Sequence, residues 1–149
     1  MSWKRMSAIM AALAVIVAFA ALLVRAERNP DGPVPIAYDK AACGHCRMHV
    51  GDPRFAAQAQ LEDGQVFDFD DPGCLLSWID ENSAPLHAVW LRHSQRDEWI
   101  SREDAGFVPI SPTPMGFGLG AVRKDEAGAL GWDQARASMT EQKAKRHHD

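Results

Sequence analysis

Residues 54–93 constrain the fold of this chain more tightly than any other stretch. In "RFAAQAQL" the apolar Phe55, Ala57, Ala59 and Leu61 alternate with Gln58 and Gln60, the period-two pattern of a half-buried strand. Glu62-Asp63-Gly64 supplies a tight turn, because Asp-Gly tolerates positive φ. "QVFDFD" then reads as a second strand with Phe67 and Phe69 on one face, so 54–70 is expected to be a β-hairpin. Asp71-Pro72 starts a helix: the carboxylate caps it, and proline suits a first helical position that needs no N–H. Cys74, Leu75, Trp78 and Ile79 fall on one helical face. Pro85 closes the helical region, and "HAVWLRH", 87–93, reads as a third strand. The expected class is α+β: a small antiparallel sheet with a crossover helix, a ββαβ unit.

The pattern weakens after Trp99. "EWISREDAGFVPI" has room for two short strands. "SPTPMGFGLG", 111–120, holds two prolines and three glycines and reads as a loop. "AVRKDEAGALGWDQARASM" suggests a strand end and then a helix weakened by Gly128 and Gly131. This leaves room for a second, degenerate copy of the sheet-and-helix unit. "TEQKAKRHHD" reads as a frayed polar tail.

At the other end, an uncharged apolar run from Met6 to Val24 is preceded by Lys4 and Arg5 and closed by Arg25. Eighteen helical residues span about 27 Å, close to the hydrocarbon thickness of a bilayer. A cleaved signal peptide has a shorter apolar core, so a retained transmembrane helix is the first reading and a cleaved signal the second. Positive charge before the run favours a cytoplasmic N-terminus and an exported body, although Arg25 and Arg28 reduce the bias. The expected organisation is an anchor or signal segment at 1–26, a Pro-rich linker at 27–37, a folded body at 38–140 and a polar tail at 141–149. The net charge of −4 offers no basic face to a phosphate backbone, which argues against nucleic-acid binding. No Gly-rich phosphate loop, G-x-S-x-G or H-E-x-x-H is present, so no hydrolase or phosphotransferase chemistry is indicated.

Chemistry concentrates at "CGHCRMH", residues 43–49. A C-x-x-C pair serves as a redox dithiol, half a zinc site, part of a copper site or a structural disulfide. Zinc needs a second pair of ligands; no second C-x-x-C lies in the body, and its downstream H-x₅-H pair, His87 and His93, stands at the two ends of the expected third strand, too far apart to share an ion. A thioredoxin-like dithiol follows a buried strand and opens a long helix. Here "AYDKAA" precedes it, and Gly51-Asp52-Pro53 interrupts the chain soon after. Met48 changes the balance. Thiolate and thioether sulfurs are soft ligands that select Cu(I), and Cys43, Cys46 and Met48 place three of them within six residues. Met115, between Pro114 and Gly116, stands where no amphipathic stripe asks for a methionine and is a candidate sulfur ligand from a second segment. His45 and His49 flank the pair and read first as surface histidines. Cys74, on the apolar helix face, reads as a small core residue. Asp68, Asp70 and Asp71 read as capping and solvation.

Taken in order, these segments resemble the NosL family, copper-binding accessory proteins of nitrous oxide reductase assembly. "CGHCRM" is similar to the family's C-x-x-C-x-M element. "FAAQAQLEDGQVFDFDDPGCLLSWI" is similar to its hairpin-helix stretch, and "EWISREDAGFVPISPTPMGFGLGAV" to its Trp-containing strand and Pro-Met-Gly loop. The resemblance spans roughly residues 38–130. It implies ββαβ architecture in one or two halves and Cu(I) held outside the cytoplasmic membrane by Cys43, Cys46, Met48 and Met115. It also implies delivery to nitrous oxide reductase, with an ABC-type maturation complex as partner. Two departures stand out: many members carry an acylated N-terminal cysteine, which this chain lacks, and Arg47 stands where a small residue is common. The expected protein is a membrane-tethered periplasmic Cu(I) chaperone rather than an enzyme. The competing reading is a thiol–disulfide oxidoreductase using Cys43 and Cys46, and a third is a scaffold with an incidental disulfide.

Overall fold

The computed structural model describes residues 3–26 and 29–146. A helix, α1, covers Trp3–Ala26. Four strands, β1 (Ala57–Leu61), β2 (Val66–Phe69), β3 (Leu86–Arg92) and β4 (Trp99–Ser101), form one antiparallel sheet in the order β2-β1-β3-β4. Helix α2 (Pro72–Glu81) connects β2 to β3. Both strands run antiparallel to β1, so they are parallel to each other and the helix is a true crossover. The expected ββαβ unit is therefore present. Strands β5 (Ala105–Pro109) and β6 (Leu119–Arg123) pair as a second, two-stranded sheet, and α3 (Trp132–Arg146) follows. The class is mixed α+β.

The local signals act as their chemistry dictates. Gly64 sits at φ 86° in the Asp-Gly turn, and the β1–β2 register runs from Ala57–Phe69 to Gln60–Val66. The Asp71 side chain accepts the Gly73 N–H at 2.8 Å and caps α2, with Pro72 in the first turn. Trp78 of α2 lies against Phe67 and Phe69, with ring centroids 5.0 and 5.6 Å apart. This face of the sheet, with Ala57, Ala59 and Leu61, and the buried Leu75 and Leu76 of α2 form the core.

The opposite face differs from expectation. Gln58 and Gln60 were expected to face solvent on a half-buried strand, yet both are fully buried. The cause is the Pro-rich stretch. Its prolines keep it extended, but it lies across β1 instead of hanging free. Val34 N–H donates to Gln58 Oε1 at 2.8 Å, and Gln58 Nε2 donates back to the Val34 carbonyl at 3.1 Å. Gln60 Nε2 donates to the Gly32 carbonyl at 2.7 Å. Without these partners each buried amide group would cost about 1–3 kcal/mol.

Two further expectations change. The tail from 141 was expected to fray, but α3 continues to Arg146. For the N-terminal anchor, side chains in α1 are described at Trp3, Met6 and residues 9–20. Among the described residues no helix is long and apolar enough to cross a membrane, so the structure lends the anchor no support.

The second sheet joins the first through β3. His93, just beyond β3, bridges to Ala121 of β6, and Ser94 N–H donates to the Ala121 carbonyl at 2.8 Å. Arg136 of α3 pairs with Asp80 of α2 at 2.8 Å, closing one end of the body.

Candidate metal centre

Residues 42–49 form a small closed loop. Ala42 and His49 bridge at its base, and Cys43 N–H donates to the Met48 carbonyl at 2.8 Å. Arg47 N–H donates to the Cys43 carbonyl at 3.1 Å, and Arg47 adopts φ 65°. Positive φ is unfavourable for a residue with a β-carbon; Arg47 tolerates it because the loop must reverse within four residues. Among the described residues no strand leads directly into Cys43 and no helix opens at Cys46, so this segment lacks the helix N-terminus that activates thioredoxin-like dithiols.

The loop docks on β2 through Gly44, whose N–H donates to the Asp68 carbonyl at 2.8 Å. A β-carbon on Gly44 would lie 3.1 Å from the Phe69 ring. This close seat brings the loop over the start of α2, where Cys74 stands in the first turn. The sulfurs of Cys43, Cys46 and Cys74 lie within 4.8 Å of one another. Metal–sulfur bonds of about 2.3 Å in a trigonal arrangement place sulfurs about 4.0 Å apart, so small side-chain shifts would close the three around one ion. Cys43 and Cys74 are completely buried; Cys46 is half-buried at the rim.

The electrostatics single out one sulfur. The Cys74 thiol, and the backbone N–H groups of Asp70, Cys46 and His45, donate to Cys43, which outweighs its burial and lowers its pKa to about 4. At neutral pH Cys43 is a thiolate. Cys74 moves strongly upward because its S–H donates a hydrogen bond to Cys43 and is itself desolvated. Cys46 is raised, chiefly by burial, against a hydrogen bond from the Met48 N–H. Asp68, Asp70 and Asp71 are all raised, burial being the first cause in each. The arrangement is a preformed thiolate with two protonated thiols beside it, ready to exchange protons for a soft cation.

The Pro/Gly loop reaches the same place through Asp71. Its Oδ1 caps α2 at Gly73, and its Oδ2 accepts the Met115 N–H at 3.1 Å. The loop packs so closely that a β-carbon on Gly73 would fall 2.1 Å from Phe117 Cγ. Met115 is partly buried against the core cluster that contains Cys43 and Cys74.

The sequence-derived residues thus separate. Cys43 and Cys46 come together. The Met48 side chain is 60% exposed, while its backbone groups brace both cysteines. Met115 is tied by its backbone to the cap of the helix that carries Cys74. His45 Nε2 lies 3.4 Å from Glu81, its Nδ1 is buried without a partner, and His49 is exposed. Cys74 is the residue the sequence reading passed over. It is buried, as a core residue should be, but its sulfur belongs to the cluster. The odd cysteine count, beside an Asp-Pro cap two residues upstream, was the available signal.

Compared with protein-family models, curated proteins and solved structures, the chain matches none.

Proposed function

We propose that this chain is a membrane-tethered Cu(I) metallochaperone and not an enzyme. Its body would lie on the periplasmic side of the inner membrane, anchored by the apolar Met6–Val24 run. The observation that carries the reading is the three-cysteine cluster, which is able to hold a metal ion. Its chemistry favours copper. All three donors are sulfur, and among the described residues the cluster contributes three such ligands, one short of the four a structural zinc site closes with. Soft sulfur in low coordination suits Cu(I). Cys43, Cys46 and Cys74 would hold the ion, and the Met48 and Met115 thioethers would replace them in turn during transfer rather than bind all at once. The exposed rim at Cys46 and Met48 suits a cargo that must leave, because a partner's ligand displaces a rim sulfur first. The resemblance to the NosL family adds the client: nitrous oxide reductase, loaded together with an ABC-type maturation complex.

The test is a titration of the reduced full-length chain with Cu(I) against a competing chelator. One tightly held copper per chain is expected; failure to compete overturns the reading. Copper content of the reductase in a host lacking the chain tests the client, and an unchanged content removes it.

One observation favours the oxidoreductase reading: the low pKa of Cys43, the property of an attacking dithiol. Burial opposes it, since Cys43 is inaccessible and the accessible Cys46 is the poorer nucleophile. Catalysed disulfide exchange between added substrates, lost in Cys43→Ser, together with no tight Cu(I) binding by the reduced chain, would favour that reading over the chaperone.

A further inference from the structure

The three sulfurs differ in access. Cys43 and Cys74 are sealed, and Cys46 alone reaches the surface. Two of them also share one tight loop, in which the Cys46 N–H points at the Cys43 sulfur and Arg47 N–H closes the turn onto the Cys43 carbonyl. Cys74 sits on a separate element, the first turn of α2. An oxidant arriving from solvent therefore meets one sulfur, and the sulfur placed to finish the reaction is three residues away.

We propose that the metal site carries a thiol–disulfide gate: a disulfide-class oxidant joins Cys43 to Cys46 and closes the site to its ion. The consequence for cargo rests on the copper reading; the sulfur chemistry does not. In the first step Cys46 loses its proton to water and attacks one sulfur of the oxidant. A mixed disulfide forms at Cys46 and one thiolate of the oxidant leaves. In the second step Cys43 attacks Cys46 Sγ, the Cys46–oxidant bond breaks, and the second thiolate leaves. Two electrons pass from the protein sulfurs to the oxidant, which departs as two thiols once protonated. Cys74 remains the one buried thiol of the cluster, and a single thiolate, even with thioethers beside it, does not hold a soft ion against competitors. A bound ion would protect the same sulfurs, so loaded protein resists the oxidant and empty protein is switched off. A dithiol reductant reverses the step.

The experiment uses the reduced full-length chain and oxidised glutathione. After quenching with an alkylating agent, free thiols are counted and the bridge is mapped by mass spectrometry. Cleavage after Lys40 and Arg47 releases Cys43 and Cys46 on one peptide, 41–47, separate from Cys74. The expected product is that peptide with an internal disulfide and one free thiol at Cys74. In Cys43→Ser, glutathione should remain attached to Cys46. A lasting glutathione adduct on the wild-type chain, a bridge to Cys74, or three free thiols after treatment would each overturn the gate. Oxidised wild-type protein should then compete for Cu(I) at least about tenfold less well than reduced protein, with recovery on adding a dithiol. If the disulfide forms but reduced protein also fails to bind Cu(I), the copper reading falls while the sulfur chemistry stands.

Discussion

Helices α2 and α3 each follow a β-hairpin, and their surroundings at the first turn are opposite. The start of α2 is sealed. Asp71 is completely buried, Gly73 lies beneath the Phe117 ring, and Cys74 looks into the three-sulfur cluster. The start of α3 is open. Gly131 N–H is capped by the exposed Gln134 at 2.9 Å, and a β-carbon on Gly131 would meet only Gln134 Oε1 at 3.7 Å. Trp132 packs edge-on to Phe107 at 5.1 Å and lies under the Arg102 guanidinium, which is a stabilising contact with no reactive group in it. The same succession of elements thus yields a site in one place and a buttress in the other. What separates them is whether a neighbouring loop covers the helix start.

The largest expected effect breaks the sealed end. Cys74→Ser should lower Cu(I) affinity by more than the about 10–100-fold that loss of a mere supporting group costs. A chelator competition measures it. An unchanged affinity would return Cys74 to the core and leave the two loop cysteines to act alone. No change at α3 should matter to copper in this way: Trp132→Ala is expected to lower the unfolding midpoint while leaving affinity within about twofold, because distant sites behave independently.

Next comes a matched pair. Gly73→Ala drives a methyl into Phe117 and should cost about 1–3 kcal/mol, the usual penalty of overpacking. Because the displaced loop carries Met115, copper affinity should fall with it. Gly131→Ala makes only an ordinary contact with Gln134 Oε1 and should cost less than about 1 kcal/mol, the difference between glycine and alanine at a cap. Denaturant unfolding of both variants checks the pair, and equal costs would contradict the contrast between the two helix starts.

Much of this contrast is hidden from the sequence, for a physical reason. The ββαβ unit is legible because its signals are local: alternation in 55–61, an Asp-Gly turn, and an Asp-Pro cap. Cys43 and Cys46 are legible because their spacing is itself the signal. Three features are not. Gln58 and Gln60 look like solvent-facing residues, and only the distant backbone at 32–34 reveals why they are buried. Cys74 has the periodicity of a core residue and is one; burial was readable, while its meeting with a loop some thirty residues upstream depends on tertiary packing. The continuation of α3 to Arg146 rests on a polar segment of low apolar periodicity, which pattern reading undervalues.

The sulfur pair also sets a pH dependence for the metal-free protein. Cys43 has its pKa lowered to about 4 from an ordinary 9, so its contribution to stability is complete above the unfolded value and declines as pH falls toward 4. Cys74 is raised, so its contribution is complete below 9 and declines as pH rises beyond it. Together they favour the folded state increasingly from acid up to about pH 9, and less above that. The buried Asp68, Asp70 and Asp71, raised by desolvation, pull the other way as they titrate above the ordinary carboxylate range. The stability difference between wild type and Cys43→Ser should therefore widen as pH rises toward about 9. A flat difference would mean that Cys43 is not a thiolate in the folded chain.

The smallest effect lies in the loop itself and tests what its strain is for. Arg47 holds φ 65°, which costs a residue with a β-carbon about 1–2 kcal/mol. Glycine removes that cost but adds about 0.5–1 kcal/mol of unfolded-state freedom. Arg47→Gly should therefore stabilise the chain by at most about 1.5 kcal/mol. The side chain is exposed, so its charge is largely screened, and copper affinity should move by less than about threefold. Arg47→Val separates shape from charge. A β-branched residue resists positive φ more strongly, so this variant should lose stability, and copper affinity with it as the turn that brings Cys46 to Cys43 loosens. If valine is as well tolerated as glycine, the turn is not what holds the two sulfurs together, and the docking of Gly44 on Asp68 must do so instead.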